Sequence, residues 1–281
     1  MVEFTSWMVI RTLGFLLVGV ATICAEDIHF GLAERNMIDA RFARLRTDNP
    51  SRGSVLQEMF AEVGCKDEHF AAQPVKGSKL PNLVCTLPGS SDRTVVVSAH
   101  YDKVTAGEGA IDNWSGAAML PSLYESLSGV PRQLTIVFVL FTDEEKGLVG
   151  SRAFVRQLSP AQRRNIAADI NIDSVGLSGA INIWNSRADR QLVNDAVAVA
   201  SSLHIDLHAV NVDDVGASDS FPFRDARIPV IDFHSITQGT FALLHTSKDV
   251  RSAVDGATYY ETYRLLTALL AYLDSRASHV E

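Results

Sequence analysis

His100 and Asp102 lie two residues apart at the end of an apolar run, Thr94-Val95-Val96-Val97-Ser98-Ala99. In an extended chain such residues share one face. A metal-bound imidazole needs its second nitrogen held by an acceptor, commonly a carboxylate. Other ionisable groups follow the same habit of standing just past an apolar run. Asp112 sits within Gly109-Ala110-Ile111-Asp112-Asn113-Trp114-Ser115-Gly116, where small residues allow close backbone approach. Asp143-Glu144-Glu145 follows the run Leu134 to Phe141, and three adjacent carboxylates repel one another unless a cation joins them. Asp173 ends Ile166 to Ile172, and His245 and Asp249 share a loop ahead of the last helix. Each alone has a plain explanation: a surface His–Asp pair, a helix-capping Asp112, a solvated acidic loop. Together they gather two histidines and several carboxylates in one neighbourhood, a ligand mixture suited to one or two zinc ions.

The elements that must position these groups alternate. Strands are expected at Thr94 to His100, Leu134 to Phe141, Ile166 to Ile172, Ile181 to Trp184 and Ile228 to Phe233. Helices are expected at Ser115 to Ser128, Ser151 to Leu158, Ala188 to Leu203 and Gly256 to Ser275. Near-continuous apolar strands between helices predict an α/β fold in one domain: a mixed, mostly parallel central sheet with helices on both faces. In such sheets ligands bind beyond the carboxyl ends of the strands. Upstream, Leu32, Ile38, Phe42 and Leu45 follow a loose helical spacing ended by Asp48-Asn49-Pro50. Ser51 then caps a helix with a Val55, Leu56, Met59, Phe60, Val63 stripe. Glu68 to Val75 and Asn82 to Leu87 read as an edge hairpin.

Composition narrows the classes. The 281 residues are 47% hydrophobic and 21% charged, which excludes collagen, low-complexity disorder and disulfide-built miniproteins. Twenty-five Lys and Arg against 33 Asp and Glu leave a formal charge of −8, which argues against nucleic acid as a partner. Arg11 precedes an apolar run, Thr12 to Ile23, shorter than the ~20 residues of a membrane span. With Ala25 behind it, the run resembles a secretory signal peptide over residues 1–25, leaving a domain at 26–281. The chain is then expected to be secreted or periplasmic, with no stable membrane partner; an uncleaved anchor and a buried N-terminal helix are the alternatives. Cleavage after Ala25 leaves Cys65 and Cys85, as one disulfide or two buried thiols.

The order and spacing of Asp112-Asn113 to Gly116 and of Asp143-Glu144-Glu145 to Gly150-Ser151 resemble the M28 peptidases, co-catalytic zinc aminopeptidases and their relatives. The resemblance runs from about Asn82 to the C-terminal helix. It implies two zinc ions: His100 and Asp173 on one, Glu145 and His245 on the other, and Asp112 bridging. It makes Glu144 the general base and acid, Asp102 the residue that orients His100, and Asp249 the residue that does so for His245. The family often has a His after Ser-Asp in the loop matched by Ser218-Asp219-Ser220; here Ser220 stands there, and Asp219 remains a candidate for the substrate amine. The implied activity is removal of N-terminal residues from peptides with a free N-terminus. Alternatives on the same fold are a one-zinc glutaminyl cyclase and a non-catalytic binding domain; a two-metal phosphohydrolase lacks any evident phosphate-binding motif. His234 ends a strand and could line the pocket or serve the structure. His204 and His208 read as structural or surface histidines, and the Asn113-Trp114-Ser115 glycosylation sequon as chance.

Overall fold

A computed structural model describes residues 6–10, 28–213 and 216–277. Strands β1 (Ser6–Ile10) and β2 (Ile28–Leu32) pair antiparallel. Helices α1 (Arg35–Phe42) and α2 (Asn49–Glu62) lead into β3 (Phe70–Gln73), β4 (Asn82–Leu87) and β5 (Thr94–His100). Then come α3 (Ser115–Ser128), β6 (Thr135–Phe141), α4 (Val149–Gln157), α5 (Pro160–Asn165), β7 (Ile166–Ile172) and β8 (Asn182–Ile183). The chain closes with α6 (Arg190–Leu203), β9 (His208–Ala209), α7 (Phe221–Asp225), β10 (Val230–His234) and α8 (Gly256–Ala277).

Eight strands form one mixed sheet in the order β3-β4-β6-β5-β7-β10-β8-β9. Its centre, β6-β5-β7-β10, is parallel, and β3 and β4 join antiparallel at one side. Alternation sorts the strand residues onto two faces. Val95, Val97, Phe138, Leu140, Ile170, Ile172, Ile231 and Phe233 belong to the main core, with α1, α2, α3, α6 and α8. Val96, Val139, Phe141 and Val230 belong to a second core that takes Phe154 of α4 and Phe223 of α7. Both faces are covered, which is why the parallel strands read as nearly unbroken apolar runs. The loops past β5, β6, β7 and β10 emerge at one edge.

Several local expectations shift. Asp48, expected to end the first helix, instead caps α2: its side chain accepts from Ser51 N at 2.9 Å, and Pro50 sits in the first turn. Leu32 closes β2 rather than joining α1. The edge hairpin is present, but residues 67–69 form a 3-10 turn before β3. Helix α5, which starts on a Ser159–Gln162 capping box, has no buried residue and hence no apolar stripe to announce it. Cys65 and Cys85 form a disulfide between the end of α2 and β4, with Cα atoms 6.2 Å apart. The apolar run at 12–23 and the cleavage point expected after Ala25 lie outside the described residues. Among those described, no helix is long and apolar enough to cross a membrane.

Candidate metal centre

His100 ends β5, Asp173 follows β7, and Glu144 and Glu145 begin the turn after β6. Asp112 comes from an irregular turn, Ala110–Trp114, whose Asp112–Asn113 peptide is cis. His245 comes from the loop ahead of α8. These five segments converge. His100 Nε2 lies 3.1 Å from Asp112 Oδ1 and 3.7 Å from Asp173 Oδ2. His245 Nε2 lies 3.1 Å from Asp112 Oδ2 and 3.0 Å from Glu145 Oε2. The result is two candidate ligand groups, His100/Asp112/Asp173 and Asp112/Glu145/His245, that share Asp112 through its two oxygens. Zinc bonds of ~2.0–2.1 Å in a tetrahedron set neighbouring ligand atoms ~3.3 Å apart. The observed spacings bracket that value. Glu145 Oε1 is also buried with no hydrogen-bond partner among the described residues, an orphan that a cation would satisfy. The donor set therefore fits zinc.

Two aspartates anchor the segments that carry the carboxylates. Both oxygens of buried Asp102 accept backbone N–H groups, from Glu144 at 3.0 Å and Glu145 at 3.2 Å. His100 Nδ1 donates to the Asp102 backbone carbonyl at 3.2 Å, with the carboxylate 3.5 Å away. Asp249 acts on the other carboxylate: it accepts from Ile111 N at 2.7 Å and Asp112 N at 3.2 Å. Among the described residues it makes no hydrogen bond to His245, so its orienting target is Asp112, because the loop leaving His245 folds back over that turn. Glu108 N also donates to Asp249 O at 2.7 Å. Asn113, fully buried, spends its amide on Ile172 O, Gly116 N and Ser174 N, leaving no room for a glycan at the sequon. Gly116 is required here: a Cβ would stand 2.4 Å from Ile172 O.

Without a metal, these groups perturb one another. Burial pushes the Glu144 carboxyl up to about 10, helped by Asp219, Asp173 and Asp112 and opposed by His100. Burial and Asp112 lift Glu145 to about 7. Burial alone would lower His100, but the surrounding carboxylates outweigh it and raise it well above the usual range. His245, bonded to Asp112, rises to about 9. Burial opposes the ionisation of Asp112, yet its two histidine partners hold it well below the usual carboxylate range. Asp143, Ser174 and His245 adopt left-handed backbone conformations, a concentration of local strain typical of functional sites.

A cleft of about 350 Å³ opens on the centre, lined by Glu144 and the ligands, with Trp184, Val212, Ile236, Phe241 and Leu244 as apolar walls. His234 lines it too, with both nitrogens engaged: Nε2 donates to Val210 O at 2.9 Å, and Nδ1 accepts from Ile236 N at 3.1 Å. Burial therefore keeps it neutral, its pKa lowered. Asp219 is buried beside the cleft, and neither of its oxygens has a hydrogen-bond partner among the described residues. Burial pushes it up to about 7 against the pull of His100. His204 ends α6 and exposed His208 lies in β9, both outside the two ligand groups.

One feature escaped the sequence reading. Beneath the ligands runs a buried polar row formed by Ser98, Asn171 and Asp232, aligned across β5, β7 and β10. Asn171 Nδ2 donates to Asp232 Oδ1 at 3.0 Å and to Ser218 Oγ at 2.8 Å, while Ser220 Oγ donates to Asp232 Oδ2 at 2.8 Å. Ser220 thus serves a neighbouring carboxylate. The available signal was the alternation Asp169, Asn171, Asp173 within an otherwise apolar strand.

Fold and donor set together define an α/β protein with a candidate two-site metal centre at the strand ends. The chain belongs to peptidase family M28, whose model matches residues 82–270. It is 33% identical over 143 residues to Aminopeptidase YwaD of Bacillus subtilis, covering 50% of this chain and 31% of that one. It is 30% identical over 152 residues to Leupeptin-inactivating enzyme 1 of Streptomyces exfoliatus, covering 53% and 34%. The chain thus spans about a third of the length of these relatives. Among solved structures, a zinc aminopeptidase from Bacillus subtilis superposes with a TM-score of 0.62 at 25% identity, over 67% of this chain and 49% of that one. An Acidobacteriales glutaminyl cyclase shares the fold with a TM-score of 0.69 at 18% identity, over 86% and 94%.

Proposed function

We propose that the protein is a zinc aminopeptidase that removes N-terminal residues from peptides with a free amine, using two zinc ions. The observation that carries the reading is the sharing of Asp112 between two three-residue candidate ligand groups. His100, Asp112 and Asp173 would hold one ion, and Asp112, Glu145 and His245 the other. Bound zinc supplies a Lewis acid for the substrate carbonyl and lowers the pKa of water. Glu144 takes the proton from the attacking water and returns it to the leaving amine. Its ionised form becomes accessible once cations offset the burial and the neighbouring carboxylates that raise its pKa. Asp102 keeps Glu144 in place through its backbone N–H. The apolar walls at Trp184, Phe241 and Leu244 suit an apolar N-terminal side chain.

The test is a hydrolysis screen of aminoacyl amides, their N-acetylated forms and N-terminal Gln peptides, with zinc and with chelator. Free-amine substrates should turn over, chelator should abolish this and zinc should restore it. Activity confined to N-blocked substrates overturns the aminopeptidase reading. Cyclisation of N-terminal Gln with one zinc per chain would instead mark a glutaminyl cyclase. We also infer export with removal of residues 1–25. The Cys65–Cys85 disulfide supports it, since such bonds persist in oxidising compartments. Mature protein beginning at Glu26 outside the cytoplasm is the expected result; cytoplasmic protein retaining Met1 would refute it.

A further inference from the structure

The guanidinium of Arg52, on α2, is completely buried behind the metal centre. Its four hydrogen bonds go to backbone carbonyls. Nε reaches Arg46 O at 3.0 Å and Nη1 reaches Tyr101 O at 3.3 Å. Nη2 reaches Glu108 O at 2.6 Å and Gly109 O at 2.7 Å. The group also lies over the Trp114 ring, 5.6 Å from its centroid, and that ring is pinned by Nε1 donating to Phe42 O at 2.8 Å. Among the described residues Arg52 forms no salt bridge within 4 Å. Burying a charge without a paired partner is costly, so its place calls for a reason.

The carbonyls it holds supply one. Tyr101 lies between His100 and Asp102. Glu108 and Gly109 open the turn that delivers Asp112, and Gly109 O also accepts from Trp114 N at 3.1 Å, closing the loop around Asp112. Gly109 has φ +61°, and a Cβ there would meet Arg52 Nη2 at 2.7 Å, so this glycine leaves space for the fork. We propose that Arg52 is a positioning residue of the metal centre, tying the strand end that carries His100 to the turn that carries Asp112. The proposal rests on the two-zinc reading above. The planar fork is essential to it: three carbonyls from two segments are held at fixed angles, which a lysine ammonium on a single flexible stem cannot reproduce. Burial lowers Arg52 to about 10, and it remains cationic at neutral pH, facing the field of Asp249, Asp112, Asp102 and Glu145.

The test compares parent, Arg52→Met and Arg52→Lys in the full chain. Zinc affinity is read by competition with a chromophoric chelator, folding by thermal melts with and without zinc, and kcat and KM separately. The lysine variant keeps the charge and protects the experiment if the methionine variant does not fold. Loss of positioning predicts zinc affinity weaker by ~10-fold or more in every folded variant, with kcat falling more than KM rises. Parent-like zinc affinity in the lysine variant overturns the proposal, as does a melting temperature lowered equally with and without zinc. A parent protein that binds no zinc would overturn the two-zinc reading and this proposal with it.

Discussion

In the proposed mechanism Glu144 differs from the candidate ligands in role rather than in distance along the chain, since its neighbour Glu145 faces His245. Glu144→Gln preserves size and the backbone bond to Asp102 but removes the proton acceptor. It should keep the parent zinc content while losing turnover by ~100-fold or more; full activity would remove Glu144 from the mechanism. Asp102 and Asp249 show how residue identity and residue partner differ in legibility. Both aspartates stand out in the sequence beside a histidine, yet their carboxylates accept amides from segments 42 and 138 residues away. His234 allows a pH prediction. Its pKa is depressed in the fold, so its contribution to stability is complete above the unfolded value of ~6.5 and is lost as pH falls below it. Protonation would also turn Nδ1 from acceptor to donor against Ile236 N–H. The melting temperature should therefore fall more steeply from pH 6.5 to 5 in the parent than in His234→Asn, and parallel curves would contradict this.

Strands β5 to β7 and helix α3 were legible because buried parallel strands and helix faces leave local periodic signals. The short helices α5 and α7 were not, because five or six residues hold too little periodicity to announce an element. The polar row Ser98–Asn171–Asp232 was hidden for a different reason. Its members sit on three strands separated in sequence, and only the sheet register aligns them. The link between α2 and β4 carries its own prediction. Closing a loop of 20 residues with Cys65–Cys85 restricts the unfolded chain and contributes about 3 kcal/mol. Replacing both cysteines by serine should lower the melting temperature, and reductant should then affect the parent but not the variant. Equal sensitivity of the two would argue against the bond.

The molecule as a whole pools acids at one end of its sheet: Asp102, Asp112, Glu144, Glu145, Asp173 and Asp249 meet beside two histidines and one buried arginine. Cations would relieve the repulsion among these carboxylates, so metal binding should be coupled to global stability. Zinc at about 100 times its dissociation constant should stabilise the fold by ~2.7 kcal/mol per site, seen as a melting transition that chelator lowers and zinc restores. A transition indifferent to both would separate the centre from the fold. The sequence by itself determined the fold class, the strand ends that bear chemistry and the ligand types, because each is written in short-range pattern and residue identity. Tertiary structure alone decided that Asp112 faces both histidines, that Asp249 serves Asp112, that the cysteines pair and that Arg52 lies behind the centre. Those are facts of register and chain crossing between distant segments, and no local pattern encodes them.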